Sequence, residues 1–288
     1  MDKFIVTEVF GDTIQGEGKY VGQPSIFVRF FGCTLHCPGF SMPRGKKTKE
    51  VDEIVKTLDN YKDDELKKLP LCKTGCDSYP AWRKECKRFS KEYSIGDLAS
   101  EIISLVPEQA ELADYHIVFT GGEPLLYQDL LYELIYVLAK QGFTNFTFET
   151  NGTVALTHKF IRMINTYKEY QDIIITFSCS PKLSISGHTQ EETLFPSRVK
   201  TFNQILDSEL YFKYVIRDER DIEEVEQYNL AYADAGIYFE GTYLMPEGGT
   251  VCNETSLTEQ ETVALCIKYG YRYSPRLHLQ LFGNKWGK

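Results

Sequence analysis

The chain of 288 residues contains 42% hydrophobic and 25% charged residues, which is the composition of an ordinary globular protein. No apolar run approaches the ~18 residues of a membrane-spanning helix, and the N-terminus lacks the apolar core of a signal peptide, so we expect a cytoplasmic protein. The net charge of −9 gives no general support for nucleic-acid binding.

Residues 1–24 form a turn-rich N-terminal segment in which Gln15 and Glu17 stand among glycines. The apolar run that follows, residues 25–31, predicts a buried strand. Arg29 is a charged residue within this strand, and such a residue is rarely fully buried without a partner. It is either half of a structural ion pair or a guanidinium fork for a ligand carboxylate. We favour the carboxylate because the strand ends beside Cys33.

A pair of cysteines, Cys33 and Cys37, follows this strand, and Cys76 comes much later. Without a secretion signal, eight cysteines indicate a reducing compartment, where thiols serve as metal ligands or small buried hydrophobes. We interpret Cys33, Cys37 and Cys76 as ligands of one four-iron cluster, which leaves one iron open for a substrate or cofactor. Two alternatives remain open. Cys72 completes a four-cysteine zinc site, or it replaces Cys37 as a cluster ligand.

The segment between the second and third cysteines, residues 38–75, is rich in lysine. Residues 41–47 form a basic loop, and residues 51–58 predict a short amphipathic helix. We expect this segment to be a solvated excursion rather than a functional surface.

Alternating strands and helices are predicted after Cys76. The helices are residues 95–106, with Ser94 as N-cap, and residues 125–141. The strands are residues 115–119, 144–150, 173–179, 211–216 and 238–244. Together with residues 25–31, about six strands alternate with helices, which predicts an α/β fold with a parallel sheet. We predict an incomplete (β/α) barrel, open on one side, in a single domain of residues 1–288.

Polar residues follow several of these strands at the end where parallel sheets bind ligands. Thr120-Gly121-Gly122-Glu123-Pro124 ends one strand, and its glycines would let the backbone approach a ligand closely. The Glu123 carboxylate can accept a hydrogen bond from an ammonium group. Lys213 is a charged residue within an apolar strand, and it either extends to solvent or lines the site.

The order of these motifs resembles the radical S-adenosylmethionine (SAM) superfamily: G-C-x-x-x-C after a strand, then T-G-G-E-P. The usual cluster motif of that superfamily is C-x-x-x-C-x-x-C, whereas Phe40 stands here in place of the third cysteine. Cys76-Asp77-Ser78 resembles the C-D-T around the family's third cysteine, so residues 38–75 correspond to an insertion. Q-G-E-G at 15–18, with residues 24–30, resembles the 7-carboxy-7-deazaguanine synthase family.

The resemblance implies a [4Fe–4S] cluster, SAM and Mg²⁺ as cofactors, and it assigns no catalytic side chain beyond them. It implies cluster ligation by Cys33, Cys37 and Cys76. It implies a Mg²⁺ contact by Ser78, since serine keeps the hydroxyl of the family's threonine. It implies SAM contacts at the strand ends, by Gly121, Gly122, Glu123, Pro124, Glu149, Asn151, Ser178 and Lys182. It implies substrate contacts by Gln15, Glu17, Arg29 and His278, where His278 is equally explained as an exposed residue of a terminal strand.

The implied reaction converts 6-carboxy-5,6,7,8-tetrahydropterin to 7-carboxy-7-deazaguanine with loss of ammonia, a step of queuosine-type biosynthesis. Cleavage of an unactivated C–H bond requires a stronger hydrogen abstractor than any side chain, so a cofactor must supply it. The resemblance further implies a homodimer and an electron donor such as a flavodoxin or ferredoxin. We expect no membrane or nucleic-acid partner, and the sequence leaves open whether the product serves tRNA or DNA modification.

Two other functions remain as alternatives. One is a radical SAM activase that places a glycyl radical on a partner enzyme; such a protein needs no carboxylate site, so Gln15, Glu17 and Arg29 count against it. The other is a zinc-binding module without enzymatic activity.

Overall fold

The computed structural model describes residues 3–248 and 257–287. Its strands are β1 (Phe4–Phe10), β2 (Ser25–Phe30), β3 (Lys91–Tyr93), β4 (His116–Gly121), β5 (Asn145–Thr150), β6 (Ile174–Cys179), β7 (Glu209–Ile216), β8 (Thr242–Pro246) and β9 (Arg272–Tyr273). Its helices are α1 (Glu50–Val55), α2 (Ile95–Ser104), α3 (Gln128–Gln141), α4 (His158–Lys168), α5 (Gln190–Thr193), α6 (Pro196–Val199), α7 (Arg220–Asp234), α8 (Glu259–Tyr269) and α9 (Leu277–Phe282).

One mixed sheet organises the described residues, with nine strands in the order β3-β1-β2-β4-β5-β6-β7-β8-β9. Every neighbouring pair from β2–β4 to β8–β9 is parallel, and β1 is antiparallel to both β2 and β3. The sheet does not close on itself, since β3 and β9 are its two edges. Helices connect the parallel strands, which confirms the α/β class.

The core lies between the sheet and the helices that cover it. The central strands read as nearly continuous apolar runs because both of their faces are covered, as is usual for parallel sheets. Helix α3 contributes one apolar face, with Leu131, Leu134, Ile135 and Leu138 fully buried. The predicted N-cap of α2 is confirmed, because the Ser94 side chain accepts the Asp97 backbone N–H.

Two strand predictions need correction. The interpretation of residues 1–24 as a turn-rich segment is wrong for Phe4–Phe10, which form β1. The pairing register with β2 shifts between Val6 and Glu8, and such a bulge interrupts the alternation that marks a strand. The last predicted strand, residues 238–244, begins only at Thr242, because the Asn203 side chain holds the backbone N–H and C=O of Tyr238, each at 2.9 Å.

The segment of residues 38–75, called the insertion below, has a hydrophobic core of its own. The predicted amphipathic helix is present as α1, which buries Val51 and Ile54. Beyond it, Leu58, Leu66 and Leu69 are also buried, and they pack with Tyr79, Cys86 and Phe89 from the chain that follows. The expectation of a solvated excursion is therefore wrong, because the insertion packs on residues from outside itself.

The chain after β9 is helical where a terminal strand was considered. His278 lies on α9, and the Leu277 N–H donates to the Gly16 carbonyl at 3.0 Å. This contact brings the end of the chain to the Q-G-E-G turn. Among the described helices, none combines the length and apolar character that a membrane crossing requires.

Candidate functional site

A cavity of about 330 Å³ opens at the carboxyl ends of the parallel strands. It collects residues that are far apart in the sequence, as is usual for ligand sites in α/β folds. All predicted site residues except Glu123 and Pro124 line it, namely Gln15, Glu17, Arg29, Cys33, Cys37, Cys76, Ser78, Gly121, Gly122, Glu149, Asn151, Ser178, Lys182 and His278.

Three thiols line one part of this cavity. Burial raises the pKa of Cys33, Cys37 and Cys76, and the pKa of Cys37 rises to about 12. The thiols are close enough to act on one another, because Cys33 and Cys37 both raise the pKa of Cys76. The Lys182 ammonium opposes the effect of burial at Cys33 and Cys37. A buried thiol that resists ionisation when alone becomes a thiolate readily when a cation or a metal binds beside it.

The loop that carries these thiols is held in an unusual conformation. Cys37 has a φ of +46°, in the left-handed region that side chains other than glycine seldom adopt. Its backbone N–H donates to Nε2 of His188 at 3.1 Å. The indole of Trp82 stacks on His36, with the ring centroids 4.4 Å apart, and its N–H lies beside the Cys76 thiol.

Cys72 is placed differently from the other three cysteines. Its sulfur donates to the Cys76 carbonyl at 3.0 Å, and its side chain packs in the insertion's core. Its pKa is raised to about 12, mainly by burial and further by Asp77 and Glu50. Within residues 3–248 and 257–287, no group of three His, Cys, Asp or Glu side chains is close enough to bind one metal ion.

The T-G-G-E-P turn packs against the cysteine loop through its two glycines. A Cβ atom at Gly121 would lie 2.2 Å from the Phe30 carbonyl oxygen, and one at Gly122 would lie 2.0 Å from that of Gly32. Any side chain at either position would therefore separate the turn from the end of β2. The glycines serve this close approach of two protein segments as well as lining the cavity.

Glu123 supports the turn from behind and does not face the cavity. Its carboxylate is fully buried and accepts the Leu125 and Asn151 backbone N–H groups at 3.1 and 2.8 Å, together with the Thr150 hydroxyl. Burial raises its pKa to about 7 against these hydrogen bonds. The SAM contacts that the family resemblance implies for Glu123 and Pro124 remain a prediction; the protein's own donors engage the Glu123 side chain, and Pro124 is buried.

The neighbouring strand end supplies polar groups that do reach the cavity. Asn151 donates from Nδ2 to the Thr34 hydroxyl at 3.0 Å, which ties β5 to the cysteine loop. Lys182 donates to the Ser180 hydroxyl at 3.0 Å. Ser178 is buried in β6 and lines the cavity wall.

A network of buried charges forms the opposite side of the cavity. Gln15 donates to Glu149 at 3.1 Å and accepts the Glu17 backbone N–H at 3.1 Å. The Lys213 ammonium lies 2.6 Å from the Glu17 carboxylate and 3.7 Å from that of Glu149. Arg276 approaches Glu17 to 4.0 Å. The structure thus places Lys213 in the site, where the sequence had left both orientations open.

These contacts fix the charge of the network. Burial alone would raise the pKa of Glu17, but the cations of Lys213 and Arg276 outweigh it and lower that pKa to about 2. Burial alone would lower the pKa of Lys213, but the carboxylates of Glu149 and Glu17 hold it above its usual value. Both side chains are therefore charged at neutral pH.

The contacts of Arg29 bear on both of its predicted roles, half of a structural ion pair and a guanidinium fork for a ligand carboxylate. Its Nε lies 3.7 Å from Oε2 of Glu8, a buried carboxylate that the bulged part of β1 supplies. Its Nη1 donates to the Ser78 hydroxyl at 3.1 Å, and the side chain also lines the cavity. The guanidinium therefore lies between a buried carboxylate and the cavity.

Sequence reasoning missed several residues that build the site. Arg217 and Glu247 form a buried pair with two contacts of 2.6 Å. Glu247 also accepts the Ser41 backbone N–H at 2.9 Å, so the pair holds the loop after Cys37 against the end of β8. Arg276 was missed because only the folded chain brings it near Glu17. The sequence offers one signal for such residues, namely a charge next to an apolar strand.

Comparisons with known proteins identify relatives of this chain. No family model matches the chain. A Halobacterium salinarum protein named 7-carboxy-7-deazaguanine synthase is 30% identical over 290 residues, covering 94% of this chain and 88% of that protein. A Pyrobaculum aerophilum protein of the same name is 26% identical, covering 98% of this chain and 96% of that protein. The crystal structure of QueE from Escherichia coli matches with a TM-score of 0.54 and 21% identity over 94% of this chain and 93% of that one, which supports the fold.

Proposed function

The chain belongs to the 7-carboxy-7-deazaguanine synthase family, and from this premise we propose that it converts 6-carboxy-5,6,7,8-tetrahydropterin to 7-carboxy-7-deazaguanine with loss of ammonia. The observation that carries the proposal is that three thiols and a network of buried charges open into one cavity. A radical cofactor and a small polar substrate would then lie next to each other.

The donor set fits a [4Fe–4S] cluster. Cys33, Cys37 and Cys76 would ligate it, and each cysteine would bind a different iron, so the sulfurs need not surround one ion. Cys72 is engaged with the Cys76 carbonyl, which favours the assignment with three ligands over a closed zinc site. Gly121 and Gly122 line the cavity close to Cys33, and together with Asn151, Ser178 and Lys182 they would border SAM.

When bound, the cluster and SAM would supply the radical that removes a hydrogen atom from the substrate, which no side chain can do. The protein's own residues would position the substrate and exclude water. The free donors of Arg29 suit the substrate carboxylate, because a guanidinium binds a carboxylate with two parallel hydrogen bonds. The Glu17 carboxylate and the Gln15 amide suit the donors and acceptors along the pterin edge.

We further propose that Ser78 contacts Mg²⁺ together with substrate oxygens, since a hydroxyl is a hard oxygen ligand. In the structure the Ser78 hydroxyl accepts a hydrogen bond from Arg29, which leaves its second lone pair for Mg²⁺. The electron donor and the homodimer remain expectations from family resemblance.

The decisive experiment is an anaerobic assay of reconstituted protein with SAM, a reductant and 6-carboxy-5,6,7,8-tetrahydropterin, read by mass spectrometry. We expect 7-carboxy-7-deazaguanine to form with wild-type protein and not with the matched variant Cys76→Ser. Cleavage of SAM without any deazaguanine product would refute the proposed function and favour the activase alternative. Stoichiometric zinc without iron in anaerobically purified protein would favour the zinc-binding module.

A further inference from the structure

The C-terminal tail, residues 283–287, forms one wall of the cavity. Asn284, Lys285, Trp286 and Gly287 all line it, next to Arg29, Ser78 and the cysteines. These residues belong to no helix or strand, so their contacts with the rest of the protein hold the wall in place.

Trp286 attaches the tail to the insertion. Its indole N–H donates to the Leu69 carbonyl at 3.0 Å, and its ring packs on the insertion's core. The ring also meets Tyr79 edge-on, with the centroids 6.1 Å apart and the planes at 77°. Tyr79 directly follows Ser78, so this contact lies beside the proposed substrate site.

The last described residue, Gly287, reaches the partner of Arg29. A Cβ atom at Gly287 would lie 3.1 Å from Oε1 of Glu8 and 3.1 Å from Nζ of Lys67 in the insertion. Gly287 therefore lies beside both the Glu8 carboxylate, which pairs with Arg29, and Lys67 of the insertion.

We propose that the insertion anchors the C-terminal tail as the outer wall of the substrate site, with Trp286 as the positioning residue. This inference rests on the proposed function for the identity of the substrate. The wall keeps water from the Arg29–Glu8 pair and limits how the substrate carboxylate can approach it. A segment between two cluster ligands thereby also shapes substrate binding.

The test compares Trp286→Ala and Trp286→Phe with wild-type protein and with the control Leu281→Ala, a change at an exposed residue of α9. The first readout is the rate at which trypsin cleaves after Lys285 in the native chain, relative to a peptide of the same sequence. The second is the KM for 6-carboxy-5,6,7,8-tetrahydropterin, and the third is iron content.

For Trp286→Ala we expect about tenfold faster cleavage and about tenfold higher KM, because a hydrogen bond and an aromatic contact are lost together. Trp286→Phe keeps the ring and should fall between this variant and wild type. Iron content should stay unchanged, and Leu281→Ala should match wild type in every readout.

Tail cleavage in Trp286→Ala at the wild-type rate would overturn the anchoring by the insertion. A released tail with an unchanged KM would overturn its role as the wall of the substrate site. If wild-type protein makes no deazaguanine at all, the proposed function fails, and the cleavage rates alone then decide whether the tail is anchored.

Discussion

Replacement of Lys213 by methionine tests whether the buried charge network is as the structure describes it. Lys213 bridges two carboxylates, at 2.6 Å from Glu17 and 3.7 Å from Glu149, and its side chain is only 5% exposed. Lys213→Met keeps most of the side-chain volume and removes the charge. A buried carboxylate that loses its partner typically costs about 3–5 kcal/mol.

The pKa of Glu17 gives an independent value for the stabilisation by this network and the direction in which it changes with pH. This pKa is about 2 in the folded chain against an ordinary value of 4.5, a difference worth about 3 kcal/mol. Because the folded value is lowered, this stabilisation is present above pH 4.5 and is lost as the pH falls towards 2. Without Lys213, burial dominates and raises the pKa of Glu17, so the variant should lose stability as the pH rises above 4.5.

Urea unfolding of the apo-protein at pH 5 and pH 8 measures both effects. We expect Lys213→Met to be destabilised by about 3 kcal/mol at pH 8 and by clearly less at pH 5, and we expect added Glu17→Gln to restore part of the loss. The matched control is Lys19→Met, which breaks partly exposed pairs of 2.9 and 2.7 Å with Glu209 and Glu240 and should cost about 1 kcal/mol or less. An equal loss at both pH values, or no rescue by Glu17→Gln, would refute the electrostatic reasoning.

Two further predictions concern the proposed substrate site. Arg29→Lys keeps the charge but cannot contact Glu8, Ser78 and a substrate carboxylate together, so we expect slower formation of deazaguanine while SAM cleavage is largely retained; equal loss of both activities would make Arg29 structural. Ser78→Ala should abolish the stimulation of product formation by Mg²⁺ and Ser78→Thr should keep it, as measured by titration of Mg²⁺, whereas an unchanged response in Ser78→Ala would exclude Ser78 from the Mg²⁺ site.

Local sequence signals predicted the features that depend on neighbouring residues. The apolar runs of the parallel strands and the N-cap Ser94 are properties of short segments, and the structure has them nearly where the patterns place them. The two glycines of the T-G-G-E-P turn were predicted to let the backbone approach a ligand, and in the structure they allow close contact with the end of β2.

Features that depend on distant partners could not be predicted in this way. β1 contains Glu8, a buried carboxylate whose partner Arg29 lies on β2. The core of the insertion is completed by Tyr79 and Phe89, which follow it in the chain. The hydrogen bond from the Asn151 backbone N–H to the Glu123 carboxylate likewise joins two strand ends that are separate in the sequence.

The most direct test of the account is the iron and sulfide content of four cysteine variants reconstituted in parallel. We predict that Cys33→Ser, Cys37→Ser and Cys76→Ser each lose most of the cluster. Cys72→Ser should retain near-normal iron, because Cys72 packs in the insertion's core and donates to the Cys76 carbonyl. Loss of the cluster in Cys72→Ser together with its retention in Cys37→Ser would contradict the assignment of the ligands and of the insertion.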